Sequence, residues 1–150
     1  MVLFVLIKLK DMLGGKNINL NELNRFISNS LSGHLGMEVT EIGSNSLTMK
    51  MPVDDRTKQP MGILNGGASL ALAESVASLA GNLSAPEGKA CVGLEINGNH
   101  LKAVRSGYVH AKASPIHLGG RTQVWQIDIT NDHSDLICIC RMTLAVIEKP

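Results

Sequence analysis

Asn65-Gly66-Gly67-Ala68-Ser69-Leu70-Ala71-Leu72-Ala73-Glu74-Ser75-Val76-Ala77-Ser78-Leu79-Ala80-Gly81 is the stretch whose reading decides the fold. It holds no proline and one β-branched residue, Val76, so it reads as a helix of about four to five turns. Almost every position is small or apolar. A helix that is apolar nearly all round is a buried helix, and its small side chains let it lie close against a sheet that curls around it.

The flanking sequence supplies that sheet. Met37–Ile42 and Leu47–Val53, joined by Gly43-Ser44-Asn45, read as a hairpin, and polar Asp54–Met61 reads as a loop. Downstream, Lys89–Asn97 puts Val92, Leu94 and Ile96 on one face. Gly107–Ser114 does the same with Val109, Ala111 and Ala113, and Arg121–Thr130 with Trp125, Ile127 and Ile129. Asn131–Asp135 reads as a turn into a last strand, Leu136–Ile147. Upstream, Asn19–Leu31 carries Leu20, Leu23, Phe26, Ile27 and Leu31 at helical spacing, with Asn19 as N-cap and Gly33 as stop. Strands joined by short turns are antiparallel. One helix fills a core only if the sheet wraps it. The expectation is an α+β domain: a curved antiparallel sheet of about six strands around one long central helix.

Composition narrows the function. Fourteen basic against thirteen acidic residues leave a net charge of +1, which gives no broad electrostatic case for nucleic acid. Met1–Ile7 is apolar but far shorter than the roughly 20 residues of a membrane span. Its charges, Lys8, Lys10 and Asp11, follow it rather than precede it as in a signal peptide. Residues 1–18 are therefore read as an extension, 19–150 as the domain, and the protein as cytoplasmic with no membrane partner. The 3 cysteines are an odd number in a chain that is not Cys-rich, so they read as free thiols. Cys138 and Cys140 share one face of a strand and read as small buried hydrophobes. No further ligands stand at zinc spacing, so no metal is expected.

Glu74 breaks the apolar pattern of its helix, and no Lys or Arg lies within the helix to pair with it. An unpaired buried carboxylate is costly, so its presence suggests chemistry. Asn65-Gly66-Gly67 opens the same helix with backbone amides that no side chain obstructs, and helix N-termini favour developing negative charge. Together they fit acyl transfer: an amide of Gly66 or Gly67 polarises a carbonyl, while Glu74 attacks it or deprotonates a water. Residues 66 and 74 are about 12 Å apart along a helix axis, too far to reach one carbonyl carbon. Two antiparallel copies of the helix solve this, so a twofold homodimer with shared sites is expected.

Several motifs carry a family resemblance. They are Gln59-Pro60-Met61-Gly62-Ile63-Leu64-Asn65-Gly66-Gly67-Ala68-Ser69 followed by Leu72-Ala73-Glu74-Ser75; Gly93-Leu94-Glu95-Ile96-Asn97-Gly98-Asn99-His100; and Pro115-Ile116-His117-Leu118-Gly119. From about Leu35 to Ile147 the chain resembles the hotdog-fold acyl-CoA thioesterases of the phenylacetate-degradation type. The resemblance implies Glu74 as nucleophile or general base and Gly66 as backbone donor to the thioester oxygen. It implies Gln59 and Ser78 as positioning residues. It implies that the motifs and segments containing Gly93, His100, Lys102, His117, Gly119, Gly120 and Arg121 hold coenzyme A. It implies a homodimer, a dimer of dimers beyond it, and no cofactor, coenzyme A being part of the substrate. One residue departs: relatives carry His where this chain has Asn65. Asn donates a hydrogen bond but shuttles no proton. A thiol, with a pKa near 8.5, departs reasonably well as thiolate, so the change is expected to slow or redirect the reaction more than abolish it. The rival readings are a hotdog hydratase or dehydratase, which Asn65 disfavours, and a non-catalytic acyl-CoA-binding module.

Overall fold

The structure, a computed structural model, describes residues 19–150; the 1–18 extension lies outside the described residues. The elements are α1 (Leu20–Ile27), α2 (Leu31–His34), β1 (Glu38–Ile42), β2 (Leu47–Pro52), α3 (Gly66–Ser84), β3 (Lys89–His100), β4 (Tyr108–Leu118), β5 (Thr122–Asn131) and β6 (Leu136–Glu148). The six strands form one antiparallel sheet in the order β1-β2-β4-β5-β6-β3. α3 packs on its inner face, which makes this the hotdog arrangement.

The inner face follows the alternation of the sequence. Val109, Ala111 and Ala113 of β4, and Trp125, Ile127 and Ile129 of β5, are fully buried. They meet Leu72, Ala73, Val76, Ala77 and Ala80 of α3. The helix runs past the expected end at Gly81 to Ser84. Gly81 is a packing residue: a Cβ there would sit 2.3 Å from Leu144 Cδ1. Trp125 keeps its indole N–H satisfied on Gln123 Oε1, at 3.0 Å, as a buried donor must.

Three expectations are corrected. The helix expected over 19–31 stops at Ile27 and resumes as α2, with Gly33 inside it. Ser28 and Ser30 donate side-chain hydrogen bonds to Arg25 O and Ile27 O, at 2.8 and 2.6 Å, competing with helix continuation. Phe26 (79% exposed) and Leu31 (62%) consequently stay outside the core. β3 does not bury its expected face either. A register shift between Gly93 and Glu95 breaks its alternation, and Val92 (44%) and Leu94 (62%) are exposed. Finally, α3 is buried on one side only. Gly67 and Glu74 are exposed, and Ala71 and Ser78 half-buried, along its other face.

The two edges of the sheet differ. Along β1, Asn24 of α1 donates to Val39 O (3.0 Å) and accepts from Val39 N–H (2.7 Å). β3 is the other edge, 12 residues long.

Candidate active site

Asn65 is the N-cap of α3. Its Oδ1 accepts from Gly67 N–H at 2.7 Å, and its own N–H donates to Thr57 O at 2.9 Å. Thr57 is buried and anchors the preceding loop by donating to Pro52 O (2.7 Å) and accepting from Asp54 N–H (3.0 Å). Gly67 is engaged by the cap, and the amides on either side of it, Gly66 and Ala68, are left over. Among the described residues, Gly66 N–H meets no acceptor.

Gly66 opens on a cleft of ≈ 340 Å³ that Gln59, Ser69, His100, Lys102 and Ile137 also line. Leu64 N–H donates to Val104 O at 2.8 Å, which ties the helix entry to the loop after β3. Four residues singled out in the sequence, Gln59, Gly66, His100 and Lys102, therefore meet here. Gln59 Oε1 accepts from Met61 N–H, leaving its amide nitrogen to donate. His100 lies against Gly66 so closely that a Cβ on that glycine would come within 2.8 Å of His100 Nε2. Lys102 is an ion-pair partner of Asp135, at 2.6 Å, and that ammonium holds the Asp135 carboxyl below its ordinary pKa.

The remaining candidates lie elsewhere. Glu74 is exposed on the open face of α3, beside β3, where a Gly93 Cβ would be 3.2 Å from its Oε1. This corrects the expectation of a buried carboxylate: the apolar neighbours of Glu74 face the sheet, and it does not. Ser78, one turn on, lines a second cleft of ≈ 540 Å³ with Leu23, Phe26, Ser32, Ser75 and Leu79. His117 is in strand β4, paired with Val124. Gly119, Gly120 and Arg121 form the β4–β5 turn, closed by Gly119 N–H donating to Thr122 O at 2.9 Å. His100 pairs with Cys138 and Thr122 with Ala145 along β6. Seven residues of strand separate those registers, so the turn is about 23 Å from His100. One chain does not gather the expected coenzyme A set.

A family model described as the thioesterase superfamily matches residues 61–138, the segment from the entry of α3 to β6. The chain belongs to the thioesterase superfamily. A 1,4-dihydroxy-2-naphthoyl-CoA hydrolase of Escherichia coli is 44% identical over 136 residues, covering 91% of this chain and 100% of that protein. The crystal structure of a thioesterase from Haemophilus influenzae, 53% identical, superposes with a TM-score of 0.87 over 89% of this chain and 93% of that one. One Staphylococcus aureus thioesterase matches in two substituted forms. A glutamate-to-alanine form is 39% identical (TM-score 0.76, 80% of this chain and 100% of that one). A glutamine-to-alanine form, changed fifteen positions earlier, is 40% identical (TM-score 0.73, 80% and 98%).

Two more residues of this thioesterase reach the cleft. Ser69, three residues on from Gly66 in α3, and Ile137, brought there by the sheet topology, also line the Gly66 cleft. Its 3 cysteines are all buried and free. Cys138 and Cys140 face inward together, their sulfurs 3.5 Å apart, and burial pushes the Cys140 thiol up to about 12. Among the described residues no cluster of three or more His, Cys, Asp or Glu is placed to hold a metal ion, and no helix is long and apolar enough to cross a membrane.

Proposed function

We propose that this enzyme hydrolyses an acyl-coenzyme A thioester at sites shared between two copies of the chain. Glu74 of one copy is base or nucleophile, and Gly66 N–H of the other holds the oxyanion. The observation that carries this reading is the pair of unspent groups on α3: among the described residues, an amide with no acceptor at its first residue and a carboxylate with no ion-pair partner on its open face. Their separation of about 12 Å along the axis calls for a second helix running the other way. The spacing of the substituted residues in the Staphylococcus aureus enzyme supports the pair Gln59 and Glu74, which are also fifteen positions apart.

The open edge of β3 supports the dimer. A twofold axis across that edge would continue the sheet into a second copy and cover Val92 and Leu94. It would also reverse the ends of the sheet. The partner's β4–β5 turn, with Gly119, Gly120 and Arg121, then comes to the end where this chain holds His100 and Lys102. Coenzyme A thus takes its contacts from both chains, and the acyl group points from Glu74 along the open helix face into the Ser78 cleft. The apolar walls and serine hydroxyls of that cleft suit an aryl or medium-chain acyl group, in line with the naphthoyl-CoA named for the Escherichia coli relative. Asn65 acts here as the cap that fixes Gly67 and leaves Gly66 to the substrate. A dimer of dimers and a cytoplasmic place, where free thiols persist, complete the reading.

Complementation tests the shared site. Glu74→Ala removes the carboxylate, and Gly66→Pro removes the amide at a first-turn position where proline suits a helix. Each homodimer is inactive. Co-refolded with random pairing, half the dimers are mixed, each with one intact site, so activity should return to about a quarter of wild type for independent twofold sites. Circular dichroism verifies that both variants fold. Folded variants that exchange subunits yet regain no thioester hydrolysis would overturn the shared site.

A further inference from the structure

We infer that His100 is the general acid of this reaction, giving its Nε2 proton to the departing sulfur. The inference rests on the thioesterase reading of the Gly66 cleft and adds to it the fate of the leaving group. Asn65 moves no proton, and its oxygen is already occupied by Gly67 N–H. The structure nevertheless places an imidazole at the helix entry, delivered by the last residue of β3. Its Nε2 lies so near Gly66 that a Cβ there would come within 2.8 Å of it. Among the described residues no hydrogen bond holds the ring, and it faces the cleft. Imidazole is the side chain that ordinarily gains and loses a proton between pH 5 and 8.

The geometry sets the order of events. A thioester carbonyl oxygen on Gly66 N–H puts its sulfur one bond from the carbon that Glu74 or its water attacks. The sulfur then lies on the cleft side of Gly66, the side His100 occupies. When the tetrahedral adduct collapses, the C–S bond breaks and its electron pair stays on sulfur. The imidazolium Nε2–H bond supplies the proton, so coenzyme A leaves as a thiol. Glu74 returns to carboxylate by losing its proton to water, or by release of the acyl group to water if it was the nucleophile. The neutral imidazole takes a proton back from solvent. Overall, one water and one thioester become one acid and one thiol.

The test varies the leaving group while keeping the acyl group. An alkyl thiol such as coenzyme A gains from protonation; an aryl thiol, a much stronger acid, leaves without it. With His100→Gln, kcat on acyl-CoA should fall about 10²-fold, the lower range for a general acid, with KM changing less than about threefold. On the S-aryl thioester of the same acid kcat should fall less than about threefold. Glu74→Gln, measured beside it, should lose activity on both. Equal losses of His100→Gln on the two esters, a change confined to KM, or full retention of kcat on acyl-CoA would each overturn the assignment. Failure of the underlying reading looks different: wild-type enzyme would then hydrolyse neither thioester. Thermal melts exclude unfolding, and His100→Asn serves as the second variant if Gln disturbs the ring's site.

Discussion

The two edges of the sheet are finished in opposite ways. β1 is short and has Val39 clasped through both its N–H and its C=O by Asn24 of the chain's own first helix. β3 is more than twice as long and presents Val92 and Leu94 outward. Natural sheets blunt the edges they leave in water, and β1 is blunted. An edge left long and apolar is one intended for pairing. In the proposed dimer, the chain closes one side by itself and leaves the other to its copy. The open side is also where Glu74 and Gly93 stand.

The sharpest way to break this contrast is a charge on β3. Leu94→Lys should give a folded monomer by sedimentation velocity. Its turnover should be lower by about 10²-fold or more, the scale of losing an oxyanion donor, because Glu74 and Gly66 no longer meet. A fully active monomer would end the distinction between the edges. At the other edge, Asn24→Ala removes two partly buried hydrogen bonds. It should lower stability by about 1–3 kcal/mol in a denaturant titration while leaving assembly and turnover per folded molecule unchanged. Thr40→Lys, an exposed charge on β1, is the smallest change. It should shift stability by no more than about 0.5 kcal/mol and affect neither assembly nor rate; dissociation by this variant would mean that β1 also pairs with a copy.

The same contrast marks what was legible in the sequence. The buried side of α3 and the inward residues of β4 and β5 were readable because each is an unbroken periodic pattern. Burial of Ala73, Val76, Ala111 and Ile127 follows from that pattern alone. The outward side was not. Alternation places Val92 and Leu94 together, but a register shift at Gly93 and an edge position, both set by strands far along the chain, decide that they face solvent. Glu74 was singled out by its company on the helix, yet its exposure depends on what stands opposite. Serines 28 and 30, rather than hydrophobic spacing, end α1. Of the candidate site, Gln59, Gly66, His100 and Lys102 converge within one chain. Arg121 and its turn do not, because residues far apart in sequence can share a motif set yet sit at opposite ends of a sheet.

The placement of the cysteines has a chemical consequence for a protein that handles activated acyl groups. Thioesters acylate accessible thiolates by simple exchange, so an enzyme living on such a diet risks modifying itself. Here every sulfhydryl lies beneath the sheet, protonated and out of reach. Buried thiols do not compete with hydrolysis for the acyl group, and the catalyst escapes modification by its own substrate.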